Sequence, residues 1–205
     1  MTMDPIETLM QEHRTIERVI DRLVDLVEAA TGRGTLERQP AADALEFIRH
    51  FADGCHHAKE EGHLFAMMGD MGFPREQGPL AVMLFEHEQG RACVQAMLAN
   101  LEAASQGDAT AVEQFAAAAH AYADLLRGHI QKEDQVLYPM AVRAMSAADY
   151  QALTTRFQAQ DAQDRATGQP QKCLALAEEL TAGMATCAGA ETPADGCFMC
   201  SHSCQ

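Results

Sequence analysis

The chain has 205 residues, enough for one substantial core, and sets 30 Asp and Glu against 15 Lys and Arg. A surface this acidic repels phosphate backbones and anionic lipid headgroups, so neither nucleic acid nor a membrane is an expected partner. The opening MTMDPIETLMQEH carries acids where a secretory signal carries bases, and no window reaches the roughly twenty apolar residues of a spanning helix, so a cytoplasmic protein is expected. In chain order, Asp4 and Pro5 form a helix start, and Ile6, Leu9, Ile16, Val19, Ile20, Leu23, Val24 and Val27 recur at helical spacing to about Ala30. The segment TGRGTLERQP breaks that pattern, and ALEFIRHFADGCHHAKEEGHLFAMM reads as a second long helix before the turn GDMGFP. A third helix is predicted from about Pro79 to Ala104 and a fourth from about Ala109 to Met145, with Pro139 expected to kink the fourth by removing one donor and crowding the carbonyl of Gln135. Ser146 then caps a fifth helix, and QKCLALAEELTAGMA makes a sixth.

No strand pattern competes. The expected architecture is all-α: an up-down-up-down four-helix bundle over 1–146, appended C-terminal helices over 147–186, and a Cys-rich tail over 187–205.

Each of the four long helices offers a histidine: His13, His57, His87 and His129. Two of these are followed one turn later by an acid on the same face, Glu61 and Glu133. Neutral imidazoles and bridging carboxylates converging in a bundle suit a pair of first-row transition ions. In alternating topology His13 and His87 lie about 12 Å from one end and His57 about 18 Å, whereas His129, at about 24 Å, agrees only if its helix projects or bends at Pro139. Apolar neighbours such as Leu9, Leu64, Phe65 and Leu126 imply burial, and a buried ring without a partner costs a few kcal/mol. Ligation removes that conflict.

LMQEH, HHAKEEGHLF, FEHEQGR and HIQKEDQVLYP, in this order, resemble the four motifs of hemerythrin-like, or HHE cation-binding, domains over about Ile6 to Ala144. The resemblance implies two non-haem iron ions in the bundle core. It assigns His13 and His57 to one iron and His87 and His129 to the other, with Glu61 and Glu133 bridging. Two doublets leave alternatives open. His56 and Glu60 share the spacing of His57 and Glu61, the second pair being preferred because Leu64 and Phe65 follow it along a core stripe, and Asp134 competes with Glu133. Where oxygen carriers of the family have a second histidine on helix three, this chain has Arg91. Two histidines per iron resembles the iron-sulfur-repair and nitric-oxide-handling branch, and leaves a position for an exogenous ligand. Gly62, Gly90 and Gly128 flank the ligand candidates, which suits close helix approach or space for a diatomic molecule. Only Glu60 and His63 match the Glu-x-x-His unit of the rival ferritin-like architecture.

Cys187, Cys197, Cys200 and Cys204 form a separate candidate site for zinc or an iron-sulfur cluster; a redox-active tail and an unstructured one are the alternatives. The functional expectation is a di-iron protein that binds or reduces a diatomic or peroxide ligand, and enzymatic turnover is left open. The alternatives are an oxygen, nitric-oxide or redox sensor, an iron donor for iron-sulfur repair, and a structural zinc bundle. A protein partner or homo-oligomer is compatible with each.

Overall fold

A computed structural model describes residues 4–182, and every element in that span is helical. The cysteine site expected at Cys187, Cys197, Cys200 and Cys204 lies outside the described residues. Helix α1 spans Pro5–Arg33 and starts as the sequence predicts: the Asp4 side chain accepts hydrogen bonds from the backbone N–H groups of Ile6 and Glu7 at 2.9 and 3.0 Å. Gly34 ends it in the left-handed region, at φ 74°, where a side chain would be strained.

Helix α2 covers residues 38–70 without a break, and begins before the predicted start because Pro40 falls in its first turn, where no intrahelical donor is required. It is α-helical over Arg38–Phe47 and π-helical over Ile48–His57 and Glu60–Leu64. Helix α3 spans Gly78–Ser105, and α4 covers residues 109–144. The helix runs on through Pro139, where a kink is expected. Residues Glu133–Leu137 just before it are π-helical, and this wider turn gives room to a ring that would crowd the carbonyl of Gln135 in a regular helix.

Helix α5, Ala147–Thr167, opens with a capping box in which the Ser146 side chain accepts from the Asp149 N–H and the Asp149 carboxylate accepts from Ser146. Helix α6, Gln169–Thr181, lies against α1 and α2, and α5 touches α1 and the 60–64 stretch of α2.

The core is divided. One apolar cluster joins Leu9, Leu64, Phe65, Met68, Leu80, Met83, Leu137 and Tyr138, drawn from the beginnings of α1 and α3 and the ends of α2 and α4. The other contains Leu23, Phe47, Met97, Phe115 and Ala119, together with Cys173 of α6. The chemistry-bearing residues 13, 56–60, 87 and 129–133 fall between the two in every helix, so a polar layer crosses the bundle at one level.

Candidate metal centre

Five imidazoles and two carboxylates are buried in this layer: His13, His56, His57, His87, His129, Glu60 and Glu133. Their ligand atoms form two overlapping groups that share Glu60. His13, His56, Glu60 and Glu133 make one; His57, Glu60, His87 and His129 make the other; within each, all atoms lie within 4.8 Å of one another. Glu133 also reaches the second group, with its oxygens 3.3 Å from His13 Nε2 and 3.2 Å from His129 Nε2.

Every one of the five rings is oriented in the same way. Nδ1 meets a carboxylate outside the layer: Asp134 for His13 at 2.8 Å, Glu12 for His56 at 2.9 Å, Asp53 for His57 at 3.2 Å, Glu61 for His87 at 2.7 Å, and Glu86 for His129 at 2.8 Å. An ionised carboxylate only accepts, so Nδ1 carries a proton in each ring, and Nε2 is the nitrogen that presents a lone pair when the ring is neutral. Four of these bonds close a ring around the bundle. Glu12 on α1 holds His56 on α2, Glu61 on α2 holds His87 on α3, Glu86 on α3 holds His129 on α4, and Asp134 on α4 holds His13 on α1. The carboxylates are fixed in turn by cations: Arg14 on Asp134, Lys59 on Glu12, Lys132 on Glu86, and Arg91 on both Asp53 and Glu61. Outer partners of this kind fix the orientation and raise the basicity of imidazole ligands.

Inside the ring, Glu60 Oε2 and both oxygens of Glu133 are buried with no hydrogen-bond donor. Tyr138 donates to the other oxygen of Glu60 at 2.6 Å, and its hydroxyl oxygen lies 3.3 Å from His13 Nε2. The Nε2 atoms of His87 and His129 face each other at 3.1 Å. Buried acceptors without donors and opposed nitrogen lone pairs are costly as they stand, and cations among them satisfy all at once. The donor set fits a pair of transition ions.

In the metal-free cluster burial and the neighbouring charges act differently on each group. Burial, reinforced by Glu133, pushes the Glu60 carboxyl well above the usual range. Burial also acts on Glu133, but the neighbouring His129 and His13 outweigh it and hold that carboxyl well below its ordinary value. Burial drives His57 down to about 3, so its ring is neutral. On His13 burial is outweighed by Asp134 and Glu133, which lift it to about 9.

The structure thus brings together His13, His57, His87, His129 and Glu133 of the sequence-derived set. Glu61 stands outside the layer, and Glu60 is the carboxylate that enters it from α2. The preference for Glu61 assumed a uniform 3.6-residue turn, whereas the π-helical turns at Ile48–His57 and Glu60–Leu64 rotate that stripe and let the adjacent His56 and His57 both face inward. The grouping of His13 with His57 is also not found, since His56 accompanies His13 and His57 stacks on His87 with ring centroids 3.7 Å apart. Sequence reasoning missed Glu12, Asp53 and Glu86 as ring-holding acids. A signal was present in Glu12-His13 and Glu86-His87, where an acid directly precedes a core histidine but turns to a neighbouring helix.

Residues 4–141 match the Hemerythrin HHE cation binding domain. The chain belongs to that family. It is also similar to uncharacterized proteins from two strains of Mycobacterium tuberculosis and from Mycobacterium bovis, each 26% identical over 156 residues. The match covers 74% of this chain and 59% of each relative, so the chain spans less than two thirds of their length. Within the hemerythrin-like frame, the expected effect of Arg91 needs correction. His56 adds a fifth imidazole to the four expected, so the rings divide two and three between the two groups, and the argument from two histidines per iron loses its premise. Arg91 sits one turn after His87 and binds Asp53 at 2.7 Å and Glu61 at 2.8 Å, the carboxylates that hold His57 and His87.

A cavity of about 260 Å³ reaches the layer between α2, α3 and α4. His57 and His87 line it, with Val94, Tyr122 and Leu126 on its walls and Arg49 among its residues. An added Cβ at Gly90 would make an ordinary contact with the Tyr122 ring at 3.5 Å, and one at Gly62 or Gly128 would meet nothing within 4 Å, so the close approach expected at these glycines is not found. Among the described residues no helix is long and apolar enough to cross a membrane.

Proposed function

We propose that this hemerythrin-like chain is a non-haem di-iron protein that binds or reduces a small oxidant: dioxygen, nitric oxide or a peroxide. In this reading the four long helices alternate up and down; His13 and His56 hold one ion, His57, His87 and His129 the other, and Glu60 and Glu133 lie between. The supporting observation is the inward set of five Nε2 atoms around carboxylate oxygens that lack donors. When bound, the iron pair supplies electrons to the oxidant. The protein's own part is to fix the rings through Nδ1, to keep Glu60 oriented by the Tyr138 hydroxyl, and to limit access to the cavity beside His57 and His87. A cytoplasmic setting belongs to the same proposal, and the free thiols of Cys55, Cys93 and Cys173 fit it.

The test is metal analysis of protein purified without oxygen, with optical spectra recorded before and after addition of dioxygen, nitric oxide or hydrogen peroxide. Two irons per chain and a spectral change with an oxidant are expected. A colourless protein that holds zinc and does not take up iron would overturn the proposal.

A further inference from the structure

Of the cations that fix the outer carboxylates, Arg14, Arg91 and Lys132 are 55, 33 and 42% exposed, whereas Lys59 is only 3% exposed. Lys59 is sealed by α5, which lies beyond the family match that ends at residue 141. Its ammonium group pairs with Glu12 and with Asp161 of α5 at 3.3 Å, and lies 6.0 Å from the centre of the Phe157 ring. Glu12 in turn accepts from His56 Nδ1 at 2.9 Å. An unbroken chain of contacts therefore runs from the appended helix to a ring of the metal layer. The other anchored rings depend only on cations carried by α1, α3 and α4.

Burying an ammonium and its carboxylates is an expensive way to pack a helix, because an apolar contact of the same volume is often as stabilising. What charges supply and apolar groups do not is direction. With Asp161 on one side and Glu12 on the other, Lys59 is held in one place, and Glu12 keeps its second oxygen on His56.

We propose that Asp161 is a positioning residue for the metal centre, acting through Lys59 and Glu12 to orient His56, so that the appended α5 completes the half of the site formed by His13 and His56. The inference rests on the di-iron reading. It predicts an asymmetric effect: loosening Asp161 weakens one ion and leaves the other.

The experiment compares full-length wild type with Asp161→Ala, Asp161→Glu and a control, Asp164→Asn, which lines the cleft beside Lys59. Iron affinity is measured by chelator competition, and thermal unfolding is followed by circular dichroism with and without iron. For Asp161→Ala the expected result is one of two ions released about tenfold more readily, the lower end of the loss seen when an outer partner of a metal ligand is removed. Asp161→Glu should recover most of that affinity, Asp164→Asn should match wild type, and the metal-free unfolding temperature of Asp161→Ala should stay near that of the control. Unchanged affinities for both ions would overturn the inference, as would a loss of both ions in parallel with a fall in metal-free stability. A wild type that binds no iron would instead refute the underlying di-iron reading.

Discussion

His56 and His57 are adjacent in the chain, yet they fall in different groups of the polar layer. The side of His56 is walled off from the cleft outside it: Tyr138 and Glu60 close it from within, and Glu12, Lys59 and Asp161, which line that cleft, stand between it and the ring. The side of His57 is open: its ring stacks on His87 at the edge of a cavity of about 260 Å³, and its outer acid, Asp53, is held by the part-exposed Arg91. On the proposed reading one side would hold an ion still and the other would let a ligand approach, and the two share Glu60 and Glu133 as common walls.

The largest effect should come from a shared wall. Glu133→Gln removes charge that faces both His13 and His129, and metal analysis should show both ions depleted; loss of a single ion would mean that the two sides do not share this carboxylate. Next, His13→Ala should empty the enclosed side while the three-imidazole side keeps its ion, and His57→Ala should show the reverse preference. Equal loss in both variants would break the division. A smaller change is expected for Glu86→Gln, which takes the charge from the acceptor of His129 Nδ1 and should weaken binding by about 10- to 100-fold. Filling the open side with Val94→Phe should slow azide binding to the iron-loaded protein at unchanged iron content; an unaltered rate would show that ligands enter elsewhere.

The smallest effect concerns pH in the metal-free protein. His13 is lifted from its ordinary 6.5 to about 9, so its protonation stabilises the fold fully below about 6.5, and that stability is lost as the pH rises through about 9. Metal binding must displace the same proton and should tighten over this window. Thermal unfolding of the metal-free protein between pH 6.5 and 9 should therefore show falling stability, while chelator competition shows rising affinity.

Much of this was legible in the sequence. Asp4 with Pro5, and Ser146, mark helix starts through local chemistry that tertiary packing does not overrule. The order of the four histidine motifs marks the layer. The doublets are opaque in the sequence because spacing offers a choice, whereas the structure uses both members: Glu60 faces inward and Glu61 holds His87, and Glu133 faces inward while Asp134 holds His13. A helical wheel at 3.6 residues per turn cannot seat His56 and His57 on one face, and nothing in the local sequence announces the π-helical turns that do so. Lys59 carried no periodic signal either, since its burial depends on a helix a hundred residues further along the chain.

The central claim is that Glu60, rather than Glu61, lies between two bound ions. Iron content of Glu60→Gln measured beside Glu61→Gln tests it directly. The account predicts that Glu60→Gln cannot retain the ion pair and that Glu61→Gln keeps two ions per chain with weakened affinity. A Glu60→Gln protein with two tightly held irons, beside a Glu61→Gln protein with none, would contradict it.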